Sequence, residues 1–184
     1  MKKLLLITGD LATGKSTFSR ILSERHNCTV FCKDKIKELL ADEIGFRDRE
    51  ENLRLSRATM EIMIANFNEI SKSGSNLILE ANFRAREIER LHNIAAEKEY
   101  AVLTLVLRAD VNILYQRFMN RINYENRHPV HISGFDGFES FKTYVESGRK
   151  EEVFGQAIDI LANNFTYQSD EKILSKIDHF MGVK

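Results

Sequence analysis

Apolar residues in this 184-residue chain fall into two kinds of run. Short, unbroken stretches occur at 3–7 (KLLLI), 29–32 (TVFC), 76–80 (NLILE) and 101–107 (AVLTLVL), with a weaker one in 156–161 (QAIDIL). A strand with one wet face alternates apolar and polar residues, whereas an unbroken run suits a strand covered on both faces, as in a parallel sheet. Between these runs the apolar residues recur at helical spacing. Phe18, Ile21 and Leu22 do so early in the chain, and Val111, Leu114, Tyr115, Phe118 and Ile122 form a stripe at i, i+3, i+4, i+7 and i+11. Residues 33–44, 50–72, 84–98 and 170–181 read as further helices, the last capped by Ser169 or Asp170. Strand and helix take turns, which predicts an α/β fold with helices on both faces of a parallel sheet.

One segment breaks the rhythm. Residues 123–137, NYENRHPVHISGFDG, hold the only proline, two histidines and two glycines, without a helical period. A loop of that length inside a compact domain is usually functional.

Composition narrows the picture only modestly. Lysine plus arginine equals aspartate plus glutamate at 27 each, so no global basic field advertises nucleic acid or an anionic membrane. No apolar run approaches the length needed to span a bilayer. The start, MKKLLLITGD, has lysines before apolar residues, but its short run leads into a glycine loop rather than a cleavage site, so a cytoplasmic chain is expected. The length suits one domain over 1–184. Cys28 and Cys32, the only cysteines, would lie about 13 Å apart along a strand, too far for a disulfide, and lack zinc-site spacing. They read as small buried hydrophobes.

The chemistry starts at residues 9–17, GDLATGKST, where Gly9, Gly14, Lys15 and Ser16 fit G-x-x-x-x-G-K-[ST] between a buried strand and an amphipathic helix. In that setting the backbone curls so that successive amides of Leu11, Ala12, Thr13 and Gly14 face inward on phosphate oxygens. The helix beginning near Lys15 adds the positive end of its dipole. Lys15 would reach the β- and γ-phosphates and Ser16 would coordinate Mg²⁺, with Thr17 a candidate contact of the α-phosphate. The expected ligand is a nucleoside triphosphate with Mg²⁺. No N-K-x-D guanine reader is present, and the chain is short for a motor.

At this point the sequence resembles a family. The glycine loop, KDKIKELL after the second strand, LILEANFR ending the third and YQRFMNRINYENRHPVH beyond the fourth resemble small P-loop kinases. The group includes the zeta-toxin kinases, chloramphenicol phosphotransferase and polynucleotide-kinase-like proteins. The resemblance implies the P-loop NTPase fold with strand order 2-3-1-4-5, ATP as donor, acceptor-side helices near 35–73 and a lid near 121–137. It places a catalytic base at Asp34, an acidic group beyond strand two where ligands of open α/β sheets bind; as a residue alone, Asp34 also suits a helix cap. Glu80, where the group usually has Asp, would hold a Mg²⁺-bound water or the acceptor, and Arg84 would grip an anionic acceptor. Arg117, Arg121 and Arg127 would stabilise charge on the transferring phosphoryl group from the lid. His128 and His131 lack a third metal ligand nearby and read as loop structure. Adenine is expected against 163–168.

The leading expectation is an ATP-dependent phosphotransferase acting on a hydroxyl of a small-molecule acceptor, as a monomer or dimer. The alternatives are a nucleotide or nucleic-acid 5′-hydroxyl kinase and a non-catalytic nucleotide-binding regulatory module. Balanced charge and few aromatics in 35–73 argue against a long polynucleotide acceptor.

Overall fold

The computed structural model describes residues 1–125, 127–131, 135–150, 153 and 155–182. Five parallel strands form one sheet in the order β2-β3-β1-β4-β5, as the resemblance implied. In chain order the elements are β1 (Lys2–Gly9), α1 (Lys15–His26), β2 (Thr29–Cys32), α2 (Lys33–Ile44), α3 (Arg49–Ile70), β3 (Leu77–Glu80), α4 (Ala85–Glu97), β4 (Tyr100–Arg108), α5 (Val111–Tyr124), α6 (Gly137–Arg149), β5 (Gln156–Leu161) and α7 (Glu171–Met181). Single turns of 3₁₀ helix occupy Ser71–Ser73, Pro129–His131 and Thr166–Ser169.

The unbroken apolar run of β1 has the expected cause. Leu4, Leu5, Leu6 and Ile7 are all fully buried in the middle strand. Alternation along the strand sends Leu5 and Ile7 into one core with Phe18, Leu22, Leu105, Leu114, Phe118, Phe141 and Ile177. Leu4 and Leu6 enter a second core with Met60, Met63, Phe67, Leu79, Ile88 and Leu91. Each such side chain stabilises the fold by roughly 1.5–3 kcal/mol, so both faces must be covered for this strand to exist.

Local chemistry sets the helix ends. Asp48, Asp110 and Asp170 accept hydrogen bonds from Glu51 N, Asn112 N and Lys172 N, at 2.9, 2.9 and 2.8 Å. Asp170, rather than Ser169, thus caps α7. The segment expected to be irregular, 123–137, is ordered in part. Helix α5 runs on to Tyr124, the Pro129–His131 turn follows, and Asn126 and 132–134 lie outside the described residues. Beyond it lies α6, a helix that the expected elements do not include. Phe141 and Val145, one turn apart, are its buried residues.

Candidate active site

The site sits where β1 turns into α1. Gly9 has φ +117°, and a Cβ there would overlap the Leu107 backbone oxygen of β4, so no other residue fits the turn. Gly14 (φ +91°) starts α1 from a left-handed conformation, and a Cβ on it would lie 2.9 Å from both Phe165 and the Tyr167 hydroxyl. Helix α1 has no capping side chain and no acidic residue in its first turn, so its leading amides are left for an anion. Packing holds the loop from beneath. The Thr13 hydroxyl donates to Asp10 O at 2.9 Å, and the buried Tyr167 hydroxyl donates to Thr13 O at 2.8 Å.

Lys15 is buried, and its ammonium donates to the carbonyls of Asp10 (2.5 Å) and Gly9 (3.3 Å). Burial pushes its pKa down, opposed by the nearby carboxylates of Glu80, Asp34 and Asp10. Glu80, at the carboxyl end of β3, is 4% exposed; burial raises its pKa against the pull of Lys15. A Glu80 Oε2 atom accepts from the Ser16 hydroxyl at 3.0 Å and from the Cys32 thiol at 2.7 Å. Cys32 is therefore not the plain buried hydrophobe expected of it: burial, then the adjacent carboxylate, pushes its thiol up to about 12, so it stays protonated and donates. Cys28 does pack against the apolar core, half-buried.

Asp34 lies in the first turn of α2, whose N-cap position is Cys32, so it is not the helix cap. Its side chain is 55% exposed. One cleft is lined by Leu11 through Thr17 together with Asp34, Glu80, Asn82, Arg121 and Arg127. Three candidates fall elsewhere, Gly9 lining a neighbouring cavity beneath the loop. Arg117 donates to Ala162 O and Asn163 O, each at 2.8 Å, and its guanidinium lies 4.2 Å from the Phe165 ring centroid. It braces the connection after β5 rather than lining that cleft. Arg84 lines the neighbouring cavity, of about 70 Å³, with Asn82, Phe83, Ile88, Tyr144 and Arg149. Leu11 and Asn82 line both spaces.

Sequence reasoning missed the partner of Asp10. Arg149, at the end of α6, donates Nε to Asp10 Oδ1 at 3.2 Å, and its Nη2 bonds to Asp10 Oδ2 and Ala109 O. Asp10 also accepts from Ala109 N at 3.2 Å. This fastens the glycine loop to the end of β4. The 141/145 spacing could have revealed α6; nothing local could have paired Arg149 with a residue 139 positions away.

The oxygen-rich donor set at Ser16 and Glu80 suits Mg²⁺, while the protonated Cys32 thiol is a poor ligand for it. Among the described residues, no group of three or more His, Cys, Asp or Glu could hold a metal by itself. None of the described helices is long and apolar enough to cross a membrane.

A family model described as an AAA domain matches residues 5–136, well over half of the chain. The chain belongs to this AAA-domain family. Among solved structures, this AAA domain is similar to a candidate kinase from Chloroflexus aurantiacus, with a TM-score of 0.84 and 25% identity over 97% of each chain. The tunicamycin resistance protein of Deinococcus radiodurans follows at a TM-score of 0.62 and 18% identity over 96% of each chain. An APS kinase of Mycobacterium tuberculosis, solved with AMPPNP and APS, aligns at 0.61 and 13% over 96% of each. The last two likenesses establish a shared fold. No curated protein matches the chain.

Proposed function

We propose that this AAA domain is an ATP-dependent kinase that moves the γ-phosphate of Mg²⁺·ATP to a hydroxyl of a small-molecule acceptor. One observation carries the reading: Lys15, Ser16, Asp34, Glu80, Arg121 and Arg127, from four separate stretches of chain, line a single cleft. The amides of 11–15 and the dipole of α1 bind the triphosphate, and Lys15 exchanges the carbonyls of Gly9 and Asp10 for phosphate oxygens. Ser16 would hold Mg²⁺ directly and Glu80 a water on it; when bound, the ion neutralises charge on the phosphates. Asp34, exposed at the cleft, takes the acceptor's proton as its oxygen attacks. Arg121 and Arg127, on a lid at about 121–137, stabilise charge on the transferring group.

The acceptor occupies the adjoining cavity, with Arg84 recognising its polar or anionic end and the hydroxyl reaching the phosphate past Leu11 and Asn82. Arg117 and Phe165 flank the adenine side, where the guanidinium and ring offer flat stacking surfaces. The narrower kinship with the zeta-toxin and chloramphenicol phosphotransferase group, and a single domain spanning 1–184, are part of the same proposal. The test is a mass-shift screen of metabolites, antibiotics, nucleosides and 5′-hydroxyl oligonucleotides with Mg²⁺·ATP. A product 80 Da heavier than one acceptor is expected (the mass of PO₃H). Asp34→Asn should lower its formation at least ~10²-fold while ATP affinity stays within a few fold. Tight ATP binding without transfer to any acceptor would instead make the protein a nucleotide-gated regulatory module.

A further inference from the structure

The Pro129–His131 turn lies across α2, and its histidines meet a ladder of carboxylates spaced four apart: Asp34, Glu38 and Asp42. Val130 is 3% exposed and packs with Ala41 and Leu55. Its carbonyl accepts from Asn52 Nδ2 at 3.0 Å and from the buried ammonium of Lys37 at 3.4 Å. His128 Nδ1 accepts from Val130 N at 3.1 Å, so its Nε2–H donates to Asp42 at 2.9 Å. The backbone is thus held at three points, and the position of His131 follows from them.

His131 presents Nε2 to Glu38 Oε1 at 3.1 Å and Nδ1 to Asp34 Oδ1 at 4.0 Å, with its side chain only 8% exposed. A neutral imidazole that donates Nε2–H to Glu38 has a lone pair on Nδ1, and that lone pair faces the proposed base. Two acceptors face each other across this gap until a proton arrives on one of them. We infer that His131 is a positioning and proton-relay residue: Asp34 receives the acceptor's proton and passes it to His131 Nδ1, whose tautomer Glu38 fixes. This rests on the kinase reading of Asp34.

The step balances. The acceptor O–H bond breaks and its oxygen bonds to the γ-phosphorus. The bond from that phosphorus to the β,γ-bridging oxygen breaks, its electron pair leaving with ADP. The proton moves to Asp34 and then to Nδ1, making an imidazolium between two carboxylates, and leaves from Nδ1 to water when products depart. The surroundings are consistent with this cycle. Burial lowers the resting pKa of His131, Asp34 and Glu38 raise it, and Arg127 and Lys37 lower it, so the ring starts neutral.

The test reads His131 directly, in the full chain labelled with ¹⁵N-histidine. NMR should find its proton on Nε2 at neutral pH, with titration below the ordinary 6.5. Asp34→Asn should lower that pKa further. A proton on Nδ1, or a His131 titration that Asp34→Asn leaves unmoved, overturns the relay. In phosphate release from Mg²⁺·ATP with water as acceptor, His131→Ala should lower turnover about tenfold without changing ATP affinity, and tens of millimolar imidazole should restore most of it. His131→Asn, which keeps hydrogen-bonding capacity, should be equally slow. Full turnover in both variants, or a loss that imidazole leaves unchanged, overturns the relay. Failure of the wild-type chain to bind ATP would sink the kinase reading instead, with the coupled titration intact.

Discussion

Arg149→Leu removes the cation that closes on the start of the glycine loop. The Asp10 side chain is 5% exposed and that of Arg149 28%. In the variant, the Asp10 carboxylate keeps the Ala109 amide but loses both guanidinium donors, and Ala109 O loses one. Hydrogen bonds to charged groups contribute about 1.5–3 kcal/mol each, and breaking one side of a buried pair costs roughly 3–5 kcal/mol. Partial exposure of Arg149 lets water reach the vacated carboxylate, so the low end applies, about 3 kcal/mol. At roughly 2–4 °C per kcal/mol for a chain of this size, Tm should fall by about 6–12 °C. The chain has no tryptophan, so urea unfolding is best followed by circular dichroism. Asp10→Asn in the Arg149→Leu background removes the stranded charge and should recover about half of the loss. Mg²⁺·ATP affinity should weaken in the single variant, because Lys15 rests on the Asp10 carbonyl. A loss below about 1 kcal/mol, or strictly additive single variants, would refute the claim that this pair anchors the loop.

Other changes probe separate parts of the site. Arg121→Ala and Arg127→Ala should each lower turnover on the identified acceptor by about 10- to 10³-fold with little change in ATP affinity; steady-state kinetics and calorimetry check this, and full activity in both removes the lid arginines from the mechanism. Gly9→Ala drives a methyl into the backbone of β4 and should cost more than ~3 kcal/mol, read as insolubility or loss of the cooperative melt. Acid should destabilise the protein through His26, whose buried ring makes no hydrogen bond among the described residues and whose pKa burial pulls down against the nearby Asp178 carboxylate, 3.4 Å from Nε2. A depressed histidine pKa means that the unfolded chain binds more protons, so stability is full above the ordinary 6.5 and declines as pH falls below it. Melting temperatures measured between pH 7.5 and 5 should show that decline, and His26→Leu should flatten it.

Much of the architecture was legible because it is local. Runs such as LLLI and LILE can be unbroken only where both sides of a strand are covered, and Gly9, Gly14, Lys15 and Ser16 carry their meaning in spacing alone. Helix α6 escaped notice because it follows the proline- and glycine-rich stretch and buries only Phe141 and Val145. The role of Cys32 was not legible because a short apolar run gives no hint of a polar neighbour on the next strand; parallel pairing in register brings it beside Glu80.

The sequence by itself determined the strands, most of the helices and the glycine-rich turn, since each is written as a pattern of residue types within about a dozen positions. Tertiary structure decided which distant groups meet: Asp34 and Arg127 with Lys15 in one cleft, Arg149 on Asp10 beneath the loop, and His131 against Glu38. Those pairings are set by sheet order and by how helices stack on it. The chain closes loops of up to 139 residues to make them, and no local pattern records that closure.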